Sequence, residues 1–217
     1  MKDLVKNFLT ESEENRIIES VKNAEKKTSG EIVPMIVSTS YDYPIADIAG
    51  ASLFSLPLAL IGAHFIGPLF AVGTQNVWVF LGFEIILFFL FYFIVKNVLF
   101  LKRMFISDNQ ILEEVREAAV INFYKHGLHR TCGETGIIIF ISLFEKKVWV
   151  LGDRGINEKI GDGSWGVIAS GIASGIKNKR QADAICGAID QVGSILQKHF
   201  PIKHDDKDEL KNLILEK

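Results

Sequence analysis

Three short blocks of this sequence hold the side chains best suited to chemistry: TSGE at Thr28–Glu31, TCGE at Thr131–Glu134, and GDRGINEKIGDG at Gly152–Gly163. Their carboxylates, Glu31, Glu134, Asp153 and Asp162, are the oxygen donors that a hard cation such as Ca2+ or Mg2+ takes, and glycine-rich turns add backbone carbonyls. A cation held there would polarise a phosphoryl oxygen, and Arg154 would clamp a phosphate through its planar fork. A plainer reading fits the same residues. The carboxylates would cap a solvated sheet edge and helix starts, and Arg154 would pair with Glu158. Gly152, Gly155, Gly161 and Gly163 would either open the backbone to a phosphate or supply positive φ in tight turns. The GDRG stretch itself matches neither the Walker pattern nor the dinucleotide fingerprint. His126, His129 and Cys132 have metal-like spacing, but His126 falls in a helix's last turn, where its cation suits the dipole. A zinc site would also need a fourth ligand or an open position. No Ser-His-Asp or Cys-His nucleophile constellation is readable.

These blocks lie at the ends of regular elements. Thr10 followed by Glu13 forms a capping box, so a helix is expected to start there, with Ile17, Ile18, Val21 and Ala24 along one stripe. Ile32–Val37 reads as a strand that Pro34 assigns to an edge or a bulge. A second helix runs from Ser107 or Asp108 to a stop at Gly127, with Ile111, Leu112, Val115, Ala119 and Phe123 on its apolar face. Gly136–Leu143 and Lys147–Leu151 form an antiparallel hairpin. Gly166–Gly175 and Gln181–His199 are two further helices, and the charged tail, 201–217, is expected to fray. If the first two strands pair in parallel, their starts meet the end of the third. Glu31, Glu134 and Asp153 then share one edge, with the Asn157–Asp162 loop close by.

Between the first strand and the second helix the composition changes abruptly. From Ile45 to Leu101 the only Asp, Glu, Lys, Arg or His residues are Asp47, His64, Glu84 and Lys96. Helices at about 45–67 and 77–99 are each long enough to cross a bilayer, which takes about 20 apolar residues. The second is apolar on every face. Pro57 is expected to kink the first, and its small residues (Gly50, Ala51, Ser52, Ser55, Ala59, Gly62, Ala63) let the second helix approach. Glu84 is an intramembrane carboxyl with either a helix-contact or a functional role; His64 is a candidate partner at a different depth. The connector Pro68–Asn76 has no Lys or Arg, whereas Lys96, Lys102 and Arg103 flank the other end, so both termini are expected in the cytoplasm. Cys132 and Cys186 would then be free thiols in a reducing compartment.

The order of elements implies one α/β domain, formed by residues 1–43 and 104–200 and interrupted by a hairpin at 44–103. The stretches KTSGEIVPMIV, FYKHGL and ETGIIIFISLFEKKVWVLGDRGINEKI resemble the TPM domain family (TPM phosphatase-like, DUF477-type). That resemblance implies a small α/β/α sandwich, here interrupted by a two-helix transmembrane hairpin, and frequent membrane association. Some members carry a phosphatase label, others are linked to assembly or repair of membrane complexes, and divalent-cation binding occurs among them. This chain departs from many relatives, which carry their membrane helix at one end.

Net charge is −2 and hydrophobic content 48%. The balance gives no basic field for nucleic acid. The expected partners are the lipid bilayer, an unidentified protein and a further copy of the chain. The expected setting is an integral inner or cytoplasmic membrane protein acting as an interaction or assembly module, with a metal-dependent phosphatase as the alternative.

Overall fold

The computed structural model describes residues 3–66, 77–131, 133–160, 163–202 and 210–216. They divide into two compact units, one of residues 3–41 and 111–217 and one dominated by 42–110.

The first unit is an α/β/α sandwich around a four-stranded sheet ordered β3-β2-β1-β4. Helix α1 (Glu11–Glu25) starts at the Thr10–Glu13 capping box, and strand β1 (Glu31–Val37) follows it. Helix α5 (Asp108–Lys125) begins where Gln110 N–H donates to Ser107 Oγ, 3.2 Å. It ends before Gly127, whose φ of 78° is the left-handed stop. Strand β2 (Gly136–Ser142) pairs in parallel with β1, and β3 (Lys147–Gly152) pairs antiparallel with β2. Helices α6 (Arg154–Ile160), α7 (Gly163–Lys177) and α8 (Gln181–His199) follow.

Strand alternation sorts the core. Ile32, Ile36, Ile137, Ile139, Ile141 and Val150 join Ile17, Val21, Ile172, Ile185, Ile189 and Val192 in one cluster with α1, α7 and α8. Val33, Met35, Val37, Ile138 and Phe140 are buried on the other face, the α5 side.

Three expectations are corrected. Pro34 lies in an inner strand, with β2 on one side and β4 (Ile214–Glu216) on the other. Glu31 N–H bonds toward β2 at Thr135 O, whereas Ile32 N–H donates to the Glu25 carboxylate, 2.9 Å. By alternation, the N–H that Pro34 lacks faces the β4 side, and β4 begins only opposite Met35. Proline therefore removes no ladder bond. The tail does not simply fray, because its residues 214–216 complete the sheet, while 203–209 lie outside the described residues. The segment after β3 is not all loop, since Asn157–Ile160 belongs to α6.

In the second unit, α2 (Pro44–Ile66) and α3 (Val77–Asn97) are each long and apolar enough to cross a membrane. Helix α2 runs on through Pro57, and its small or polar Ala46, Asp47, Gly50, Ala51, Ser55, Ala59 and Ala63 are buried. Trp78, Ile86, Phe89 and Phe93 on α3 are exposed. A break at Val98 separates α3 from α4 (Leu99–Met104). Lys102 Nζ meets Asp47 Oδ2 at 3.0 Å and also donates to Asp42 O, with both ion-pair side chains almost fully buried. Ser55 Oγ donates to Glu84 Oε1, 2.8 Å, so Glu84 finds Ser55 rather than His64, whose ring stacks edge-on against Phe65. The connector Pro68–Asn76 lies outside the described residues.

Candidate functional site

The two TxGE blocks arrive at the same sheet edge by different routes. Thr28 Oγ1 donates to Phe200 O at 2.6 Å and accepts from Gly30 N at 3.2 Å, so Glu31 enters β1 directly and is 7% exposed. Thr131 Oγ1 donates to Leu128 O and accepts from Thr135 N, closing a turn in which Gly133 and Glu134 have φ of 99° and 55°. Glu134 is thereby turned out to solvent. Thr135 Oγ1 donates to Ser29 O at 2.9 Å and stitches the blocks together.

Asp153 follows β3. Its N–H donates to Gly136 O, 2.8 Å, and Glu31 is the register partner of Gly136, so Glu31, Gly136 and Asp153 form one row across the sheet. Alternation puts Glu31 and Asp153 on the α5 face. The room between them is taken: a Cβ on Gly136 would lie 2.5 Å from Leu128 O. The short 3-10 turn Leu128–Arg130 therefore sits over the row. Among the described residues no group of three or more His, Cys, Asp or Glu side chains is placed to hold a metal ion. Asp162 lies outside the described residues.

Asp153 instead opens α6. Its Oδ1 accepts from Arg154 N at 2.7 Å and its carbonyl accepts from Ile156 N and Asn157 N, while Oδ2 is buried with no hydrogen-bond partner among the described residues. Arg154 Nε donates to Glu158 Oε1 at 2.8 Å. That bond and charge, then the more distant Glu134, hold the guanidinium pKa above its ordinary value. Gly152 and Gly155 do not have positive φ, contrary to the turn reading. Gly155 is required for a different reason, since a Cβ there would stand 2.8 Å from the carbonyl oxygens of Gly133 and Glu134. Helix α6 can dock on the second TxGE turn only through that glycine.

His126 Nε2 lies 3.3 Å from Glu216 Oε1 of β4, and the His129 ring packs on Tyr124 with centroids 4.9 Å apart. Cys132 lies outside the described residues, and Cys186 is a free thiol.

Two adjoining concavities lie on the outer side of β3. The larger, ≈ 690 Å³, runs along Lys146–Gly152 between α5 (Leu112, Arg116, Val120) and α7 (Trp165, Ala169, Ala173). The smaller, ≈ 570 Å³, is lined by Val120, Tyr124, Leu151, Asp153, Arg154 and Glu158. Asn157 organises both: its Nδ2 donates to Gly152 O at 2.8 Å and its Oδ1 accepts from Trp165 Nε1 at 3.2 Å. The sequence reading missed Asn157 because it took this stretch as a loop. An Asp at a helix start, four residues before an Asn, was the available signal.

Residues 98–195, from α4 into α8, match the family model described as "TPM domain". This stretch of the chain is similar to the TPM domain. The matched range omits α1 and β1, yet both complete the same core, so the α/β fold here is assembled from segments on either side of the hairpin. The fold is similar to the NMR structure of BA42 protein from the psychrophilic bacterium Bizionia argentinensis. The TM-score is 0.59 with 22% identity, over 98% of this chain and 97% of that one. That likeness is one of fold. Among curated proteins none matches the chain in sequence.

Proposed function

We propose that this chain is a membrane-anchored TPM-domain protein whose α/β unit serves as an interaction or assembly module at the cytoplasmic face. The observation that carries the reading is the open groove along β3, walled by α5 and α7 and lined by apolar and basic side chains. Anchoring is supported by α2 and α3, whose outward aromatic and aliphatic side chains suit lipid or the hairpin of a further copy. The orientation follows from Lys96, Lys102 and Arg103 flanking the hairpin and a connector without Lys or Arg.

A photo-crosslinking residue placed at Ser170, on the groove wall, tests the reading in the full chain in native membranes. A discrete protein adduct is expected at Ser170 and none with the same probe at exposed Lys22 on α1. Identical patterns at the two positions would overturn the module reading.

A second reading is a metal-dependent phosphatase, favoured by Asp153, whose Oδ2 is buried beside Arg154 with no partner among the described residues. Asp153 with the solvent-facing Glu134 would then supply oxygens to Ca2+ or Mg2+, and Arg154 would meet the phosphate. Turnover of p-nitrophenyl phosphate that needs added Mg2+ or Ca2+ and disappears in Asp153→Ala would favour it. No metal-stimulated turnover would remove it.

A further inference from the structure

We infer that the free edge of β3 receives an extended peptide segment of a partner protein, added as a fifth strand, with acidic residues at the end nearest the β2–β3 turn. The inference rests on the interaction-module reading and names the ligand class and its seat.

The main chain comes first. Asp153 N–H donates to Gly136 O, so these two form a hydrogen-bonded pair of the antiparallel ladder. Bonded and non-bonded pairs alternate. Leu151, Trp149 and Lys147, opposite Ile138, Phe140 and Ser142, therefore spend their main-chain groups on β2. Val148, Val150 and Gly152 turn theirs outward. Gly152 O is taken by Asn157 Nδ2, which leaves the Val148 and Val150 amides and carbonyls facing the groove. A row of outward main-chain groups beside alternating side-chain pockets is what strand addition uses.

The walls then select among occupants. β3 is the outermost strand on its side of the sheet, and α5 and α7 stand on either side of its edge. The β3 edge of a second copy carries its own α5 and α7, which would collide with these walls before the two strands came within the roughly 4.8 Å of a ladder. A single extended segment carries no such layers and fits between the helices. Its alternate side chains would meet Trp149, Leu151 and Val120 on one side and Val148, Trp165 and Ala169 on the other.

Charge gives the segment its polarity. The smaller concavity sets Val120–Tyr124 of α5 beside Leu151–Asp153, so α5 runs along β3 in the same direction. Arg116, one turn before Val120, then falls toward Lys147. Arg116, Lys146 and Lys147 gather at that end, and none forms an ion pair among the described residues. At the other end Asp153 stands beside Arg154, whose charge is already met by Glu158. A segment with carboxylates at the Lys147 end is the complementary one.

The test uses the full chain in lipid nanodiscs and synthetic peptides of alternating valine and threonine, carrying two glutamates or two lysines at one end, each made in both chain orders. A glutamate-ended peptide is expected to bind, to slow amide exchange at Val148 and Val150, and to bind about tenfold more weakly to Arg116→Glu. Equal binding of glutamate- and lysine-ended peptides would overturn the proposal. So would unchanged exchange at Val148 and Val150 at saturation, or no binding in either order. If the Ser170 adduct persists while the peptides fail, strand addition is wrong and the module reading stands. If the adduct is also lost, both fall.

Discussion

Asp47 in the hairpin unit and Glu145 in the α/β unit are carboxylates only 3% and 2% exposed, yet they are balanced in opposite ways. Asp47 meets a cation: Lys102 reaches it from 55 residues along the chain, and Asp47 Oδ1 is left without a hydrogen-bond partner among the described residues. Glu145 meets hydrogen-bond donors. Its Oε1 accepts from Ser40 N at 2.9 Å and Thr39 Oγ1 at 3.1 Å, and Oε2 accepts from Ser142 Oγ. The difference follows from what each region offers. Asp47 lies in the first turn of α2, but among the described residues its carboxylate is met by the Lys102 ammonium and by no helix amide. The segment leaving β1 has unspent amides and hydroxyls, and Glu145 uses them to pin the chain just before it enters the hairpin.

The largest expected effect breaks the charged version. Lys102→Ala leaves Asp47 buried and unpaired, which costs about 3–5 kcal/mol. Thermal unfolding in detergent micelles should show the loss, and replacing both residues by apolar ones of similar volume should restore most of it. An unchanged transition in Lys102→Ala would mean that the pair balances nothing. Glu145→Ala removes an acceptor and strands buried donors, at about 1–3 kcal/mol. Limited proteolysis should then cut first near Thr39–Tyr41, and an intact segment would contradict the pinning role. Within the hairpin, Ser55→Ala removes only the Ser55–Glu84 bond and should cost about 0.6 kcal/mol, the usual scale for such bonds between membrane helices. A loss as large as that of Lys102→Ala would contradict the ranking.

The smallest effect belongs to an exposed pair. Arg16 bonds Asp183 across α1 and α8 and holds its pKa below the ordinary carboxylate value, chiefly through that bond and secondarily through charge. A depressed carboxylate pKa adds stability that is present above the unfolded value, about 3.9. That contribution is lost as pH falls through the lower folded pKa. Because both side chains are more than half exposed, solvent screening keeps it slight. An NMR titration of Asp183 should find its midpoint below the usual value and find it restored in Arg16→Ala. An ordinary midpoint in the unmodified chain would remove the pair from the account.

Much of this architecture was legible in the sequence because periodicity and composition report it directly. The Thr10 capping box, the apolar stripe of α5, the β2–β3 hairpin and the two long apolar helices each carry their own local signal. The pairing of β1 with β2 followed once those elements were ordered. Pro34 misled because strand propensity says which N–H is absent but not which neighbour it would have faced. Helix α6 was hidden by Gly155, a poor helix former whose value is tertiary: it admits the Gly133 and Glu134 carbonyls. β4 is three residues long, and its pairing with β1 has no counterpart in local pattern. The shared edge of Glu31, Glu134 and Asp153 was readable from topology. That Leu128 covers Gly136, and that Glu134 turns outward, were not, since both depend on φ values and close approaches that spacing does not encode.

The central claim is the proposal that the α/β unit, built from two segments of the chain, is anchored in a membrane by the hairpin between them. Alkaline carbonate extraction of native membranes tests it most directly. The account predicts that the full chain stays in the membrane pellet, as an inserted protein does. Release of the chain into the supernatant would contradict it.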